Sequence, residues 1–116
     1  MRNSPLESIK KTADFKQVYK HGKSFSNRYF VVYAFPNEKS CARLGLSISK
    51  KVGRAVARNK LRRWVKEYFR LNKRELPNVD FVVVARMLSA ELIVSAKFSD
   101  VKQSLSNIVA QIVVEA

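Results

Sequence analysis

Apolar positions recur at helical spacing in three places along the chain, and four other stretches read as strand. Phe15, Val18 and Tyr19 share one side of a short helix that begins near Asp14, read as its cap, and ends at Gly22. From Lys23 the pattern turns to strand. Residues 29–35 (YFVVYAF) alternate, placing Tyr29, Val31, Tyr33 and Phe35 on one side and Phe30, Val32 and Ala34 on the other. A turn over Pro36–Ser40 and a partner strand over Ala42–Ser49 read as a hairpin. A second helix runs from about Ala55 to about Leu71, its stripe of Ala57, Leu61, Trp64, Val65 and Tyr68 facing a core. Asp80–Ala85 is nearly all apolar, as in a strand buried on both sides or in mid-sheet. A third helix over Phe98–Val114 carries Val101, Leu105, Ile108, Val109 and Ile112 at helical spacing. Ser89–Lys97 reads equally as loop or a helical turn, and Met1–Lys11 as a mobile polar segment. The order α-β-β-β-α-β-α implies a single α+β domain over residues 1–116, a two-layer α/β sandwich with helices on a sheet.

Charge changes this picture at one place. Of the formal net charge of +14, the stretch 50–74 holds +10, with Glu67 its one acid. Arg54, Arg58, Arg62, Lys66 and Arg70 form an i, i+4 row on the second helix, placed opposite the apolar stripe, with Asn59 and Arg63 beside it. Like charges at that spacing cost an isolated helix about 0.2–0.5 kcal/mol per pair. A merely solvated face would mix signs; this one needs a polyanion, whose phosphates relieve the repulsion and release counterions. Arginine forks onto phosphate with two hydrogen bonds. The expectation is a nucleic-acid-binding helix.

Other chemistries are poorly supplied. His21 and Cys41 are each the sole residue of their kind, which leaves no disulfide framework and no Cys/His zinc site. The nine acids are scattered singly, unlike the clustered carboxylates of metal-dependent nucleases. No Ser/His/Asp or Cys/His pairing and no Gly-rich phosphate loop is evident. No apolar run approaches the ~18 residues of a membrane span, and the first residues lack a secretory pattern, so a cytoplasmic protein is expected. Phe15 and Tyr19, with Tyr33 on the neighbouring strand, are either core-edge rings or a platform for unpaired bases, with Lys16, Lys20, Lys23 and Arg28 nearby to follow a backbone.

The run KVGRAVARNKLRR (51–63) closely resembles the Arg/Asn-rich signature of the protein subunit of bacterial ribonuclease P. DFKQVYKHGKS (14–24), RYFVVY (28–33), LGLSISKK (44–51) and VVVAR (82–86) resemble the same family in the same order, across roughly residues 10–110. The resemblance implies a ribonucleoprotein that removes the 5′ leader from precursor tRNA, with a large RNA as the catalytic subunit and magnesium bound mainly by that RNA. No residue of the protein is then catalytic. Lys50, Lys51, Arg54, Arg58, Asn59, Lys60, Arg62, Arg63 and Lys66 would bind the catalytic RNA, with RNA-bound metal near Arg58 and Asn59. Phe15, Lys16, Tyr19, Tyr33 and Arg86 would bind the leader. The partners implied are the RNA subunit and precursor tRNA, with no membrane and no stable protein partner. The family fold also implies a left-handed crossover around the basic helix, where general β-α-β rules favour the right-handed form. The absence of a basic tail after the last helix is expected to weaken nonspecific RNA affinity. Three other readings are a structural double-stranded-RNA module, a self-sufficient nuclease and a membrane-surface helix. They are weaker on the strand and helix after Pro77, on the scattered acids, and on an apolar face already needed by the core.

Overall fold

The computed structural model describes residues 6–39, 41–86 and 98–115. Its elements are β1 (Glu7–Ser8), α1 (Thr12–His21), β2 (Lys23–Ser26), β3 (Phe30–Pro36), β4 (Arg43–Ile48), α2 (Ala55–Leu71), β5 (Val79–Ala85) and α3 (Phe98–Glu115). Short 3-10 turns at Lys50–Val52 and Lys73–Glu75 flank α2. The five strands form one sheet in the order β1-β4-β5-β3-β2. The α+β class and the order of the three helices and three longest strands are as the hydrophobic pattern implies. The ambiguous stretch Ser89–Lys97 lies outside the described residues.

β5 occupies the centre of the sheet. It pairs parallel with β4 and antiparallel with β3, so Val82 faces Gly45 on one side and Tyr33 on the other. The hairpin expected between β3 and β4 therefore does not form: β5 lies between them. The reason is legible in hindsight, since Val79–Ala85 is apolar on both faces and only a central position buries both. The hairpin that does form joins β2 to β3. Its turn is built by Asn27, whose Oδ1 accepts from the backbone N–H groups of Tyr29 and Phe30 (both 2.9 Å). The Asn27 amide donates to Ser104 of α3, to the carbonyl at 3.0 Å and to the hydroxyl at 2.9 Å.

Strand alternation divides the apolar residues between two faces. Phe30, Val32, Ala34, Leu44, Phe81, Val83 and Ala85 meet Leu61, Val65, Tyr68 and Phe69 of α2 and Val101, Leu105, Ile108, Val109 and Ile112 of α3 in the main core. On the opposite face Val18 of α1 packs with Ile9 and Val82, and Phe15, Tyr33, Phe35 and Val84 surround them. The two-layer description holds for the main core, and α1 adds a partial third layer. Tyr29 departs from its expected side: it precedes β3 and packs at the edge of the main core.

Residues 6–11 also depart from the mobile segment expected. Glu7–Ser8 pair parallel with β4 at the sheet edge, and Ile9 is buried. The Ile9 N–H donates to the Leu44 carbonyl at 2.9 Å. Two apolar side chains, Leu6 and Ile9, and two backbone hydrogen bonds to β4 and the residue before it hold a segment whose composition is otherwise polar. α1 starts earlier than expected, at Thr12 after Lys11, and no side chain caps it; Asp14 lies inside the first turn. Gly22 ends α1 through close approach, because a Cβ there would stand 2.6 Å from the Val18 carbonyl oxygen and 2.9 Å from that of Ala34.

Candidate nucleic-acid interface

α2 positions the basic residues. Leu61, Val65 and Phe69 are fully buried and Tyr68 nearly so, which fixes the rotation of the helix about its axis. Phe69 was not in the stripe read from sequence; it follows Val65 by one turn and packs on Phe81 with ring centroids 5.3 Å apart. Given that rotation, Asn59, Arg63, Lys66 and Arg70 face solvent, while Lys60 and Arg62 flank them half-buried. A shallow groove of about 400 Å³ runs along this face between Asn59, Arg62, Arg63, Lys66, Glu67 and Arg70.

The i, i+4 row is not a straight stripe opposite the core. Each step of four residues turns about 40° around the helix, so five residues wind through nearly half a circumference. Arg54 precedes the first helical residue, and Arg58 lies half-buried near the core side. Its Nη1 donates to the Gly53 carbonyl at 2.6 Å, tying the Lys50–Val52 turn to the helix. Lys66 and Arg70 come out on the far side. The Arg62 Nη1 donates to the Asn59 Oδ1 at 2.7 Å, and Lys60 Nζ stands 4.9 Å over the Trp64 ring. Arg70 forks onto Glu67 (3.0 and 2.6 Å), which holds the Glu67 carboxyl below its ordinary pKa. That pair is exposed and contributes little to stability. Lys50 and Lys51 lie exposed in the turn before α2, where the Ser49 hydroxyl accepts from the Lys51 N–H at 3.1 Å.

Around Asn59 the side chains that could face an RNA-bound magnesium ion are already engaged with one another. The oxygen Asn59 offers accepts from Arg62, and the one acid of the groove, Glu67, is held by Arg70 among otherwise cationic neighbours. Among the described residues no three His, Cys, Asp or Glu side chains gather to hold a metal ion. His21 is exposed at the end of α1 with its ring 6.1 Å from Phe35. Cys41 is buried, and burial pushes its thiol pKa up, which suits packing and not nucleophilic attack.

The aromatic residues come together on the other face of the sheet. Tyr19 stands edge-on to Tyr33 with centroids 5.0 Å apart, and Phe15 lies 6.4 Å from Tyr19. Tyr19 is 40% exposed, while Phe15 and Tyr33 are half-buried and pack at the edge of the Val18 cluster, so the three rings form a partly open patch. Lys16 is exposed on the same helix. The Phe15 ring rests on Gly45, where a Cβ would come within 2.7 Å of it. Beyond α1 the sheet face continues over Val31 and Val84 toward Arg86. Arg86 does not join the aromatic group: it lies four residues along from Val82, the partner of Tyr33, about 13 Å away at ~3.3 Å per residue. Its N–H donates to the Tyr29 carbonyl (2.8 Å) and its Nη1 to the Asn27 carbonyl (2.9 Å). Ile48 pairs with Ala85, so Arg86 and the Lys50 turn leave the sheet at the same end.

Sequence reasoning missed a polar cluster behind the aromatics. Arg43 Nε and Nη2 donate to the two carboxylate oxygens of Asp80 at 2.8 and 2.6 Å, and Asn37 Nδ2 donates to Asp80 Oδ1 at 2.7 Å. Burial would raise the Asp80 pKa, but the hydrogen bonds from Arg43 and Asn37 outweigh it and hold the carboxyl below its ordinary value. The Arg43 guanidinium is held well above its ordinary value, first by the bond to Asp80. An acid opening an apolar strand was the available signal, because a buried charge requires a partner.

No helix among the described residues is long and apolar enough to cross a membrane. Residues 4–113 match the family model described as Ribonuclease P. The chain is 46% identical over 105 residues to the ribonuclease P protein component of Clostridioides difficile, covering 89% of each chain. It is 49% identical over 85 residues to that of Desulforamulus reducens, covering 72% of this chain and 75% of the other. Among solved structures, the Thermotoga maritima RNase P protein aligns with a TM-score of 0.84 at 39% identity, covering 90% of this chain and 96% of that one. The Staphylococcus aureus RNase P protein aligns at 0.81 and 39% identity, covering 89% and 92%. The chain belongs to the ribonuclease P protein family.

Proposed function

We infer that this chain is the protein subunit of a cytoplasmic ribonucleoprotein that removes the 5′ leader from precursor tRNA. It binds a catalytic RNA through the outer face of α2 and the Lys50–Val52 turn, and it binds the leader through the cleft of Phe15, Tyr19 and Tyr33. The observation that carries this reading is the sidedness of α2, which buries Leu61, Val65, Tyr68 and Phe69 and turns Asn59, Arg63, Lys66 and Arg70 outward. A face that repels itself gains from folded phosphate backbone more than from any neutral partner. The cleft supplies the complementary chemistry. Exposed rings stack unpaired bases for roughly 1–3 kcal/mol each, with little regard to sequence. Because Arg86 and the Lys50 turn share one end of the sheet, a strand leaving the aromatics along the sheet face would reach the basic surface there.

On this reading the hydrolytic step belongs to the RNA, which also holds the magnesium, and the protein contributes substrate grip and charge neutralisation. Reconstitution tests it. Precursor tRNA should be cut at its 5′ junction only when the catalytic RNA is present. Replacing Tyr19 by Ala should lower affinity for leader-bearing precursor while leaving mature tRNA binding unchanged. Efficient processing by the polypeptide alone would overturn the reading. Equal losses on precursor and mature tRNA would remove the leader cleft from it.

A further inference from the structure

α1 has few holds on the rest of the molecule. It is ten residues long, carries no side-chain cap, and buries only Val18 completely. A helix of that length is marginal on its own in water, so tertiary ties set its position. One of those ties is polar. Arg43 projects from β4 on the face that α1 covers, two residues before the Gly45 on which Phe15 rests. Its side chain is 13% exposed, and two of its nitrogens are fixed by the Asp80 carboxylate, which Asn37 also holds. The remaining nitrogen, Nη1, reaches Asp14 Oδ2 at 3.4 Å, in the first turn of α1 and directly before Phe15.

We propose that Arg43 is a positioning residue for the aromatic cleft. Clamped by Asp80 and Asn37, it tethers the first turn of α1 through Asp14, and so sets where Phe15 and Tyr19 stand over Tyr33. The planar guanidinium suits this role because its fork can serve two carboxylates from one rigid plane, whereas an ammonium cannot. The inference rests on the leader-binding reading of the cleft. An ion pair that only stabilised the fold would change the melting temperature and affect all RNA ligands alike. A tether acts on leader discrimination, and it acts through the aromatic rings.

The variant that separates these is Asp14→Asn, which leaves the buried Arg43–Asp80 pair intact and so preserves the fold. In the holoenzyme reconstituted with its catalytic RNA, the readout is the ratio of affinities for leader-bearing precursor and mature tRNA. Asp14→Asn should reduce that ratio roughly three- to tenfold, in the lower part of the coupling seen between groups in one network. In a Tyr19→Ala background, where only Phe15 is left for the tether to position, the same change should cost clearly less. Arg43→Lys should shift the ratio in the same direction as Asp14→Asn. An unchanged ratio in Asp14→Asn overturns the tether, as does an equal loss with and without Tyr19. If Tyr19→Ala itself leaves the ratio untouched, the leader cleft fails and the tether with it. If Tyr19→Ala lowers the ratio and Asp14→Asn does not, the tether alone fails.

Discussion

At the scale of single residues, the arrangement turns on two positions where size or charge admits little substitution. Gly45 is needed because the Phe15 ring occupies the space a Cβ would take, so that ring sits directly on backbone. Asp80 is a nearly fully buried acid that stays ionised because Arg43 and Asn37 serve it. Its folded-state pKa lies below the ordinary carboxylate value, so between the two values the unfolded chain binds more protons and stability rises with pH. The contribution is therefore complete above about pH 5 and is lost as pH falls below about 4, through the folded value. The stability gap between the native protein and Asp80→Asn should be flat from pH 5 to 8 and shrink in stronger acid, as chemical denaturation across that range would register. A gap that widens in acid would contradict the assignment of Asp80 as the ionised partner.

At the scale of elements, α2 carries two duties on one rod. Its winding row means that the basic residues of the helix are not equivalent. Arg58 joins the helix to the preceding turn through Gly53, whereas Arg63 and Lys66 have exposed side chains suited to phosphate. Replacing Arg63 and Lys66 together by Ala should weaken binding to the catalytic RNA and reduce the slope of log K against log salt by nearly two. Titrations at several salt concentrations measure this directly, and an unchanged slope would take these side chains out of the phosphate contact. Arg58→Ala, by contrast, should also loosen the turn carrying Lys50 and Lys51, so it is the poorer probe of charge alone. α1 is the shorter element yet carries two of the three rings of the proposed cleft, which is why the proposed tether to β4 would matter there.

At the scale of the whole molecule, the sheet separates the two proposed surfaces while the main core makes them mechanically one. Leu61 and Val65 of α2 pack with Phe30, Phe81 and the α3 residues, and β5 is shared by both faces. Leu61→Ala should therefore lower global stability by roughly 2–5 kcal/mol, the usual cost of a truncated and buried leucine. Loss of the two binding activities should then follow a single unfolding transition. Separate melting of cleft and basic face would show that α1 and its tether form an independent unit. The helix periods, the α2 bounds, the central strand and the segregation of charge were all legible from residue types, because each follows from local burial or local repulsion. The strand pairing was not. The β3–β4 turn looks like a hairpin until an apolar strand more than forty residues later in the chain requires the middle place. Nor were the edge strand at Glu7–Ser8 and the Asp14–Arg43–Asp80 chain, whose members are far apart in sequence and become neighbours only when the sheet is assembled. The amino-acid order by itself determined that one helix concentrates like charge, since repulsion within a helix is set by spacing alone. Which cations point outward, and which rings stay open to a strand, was decided only by the rotation that the buried side chains impose on each helix.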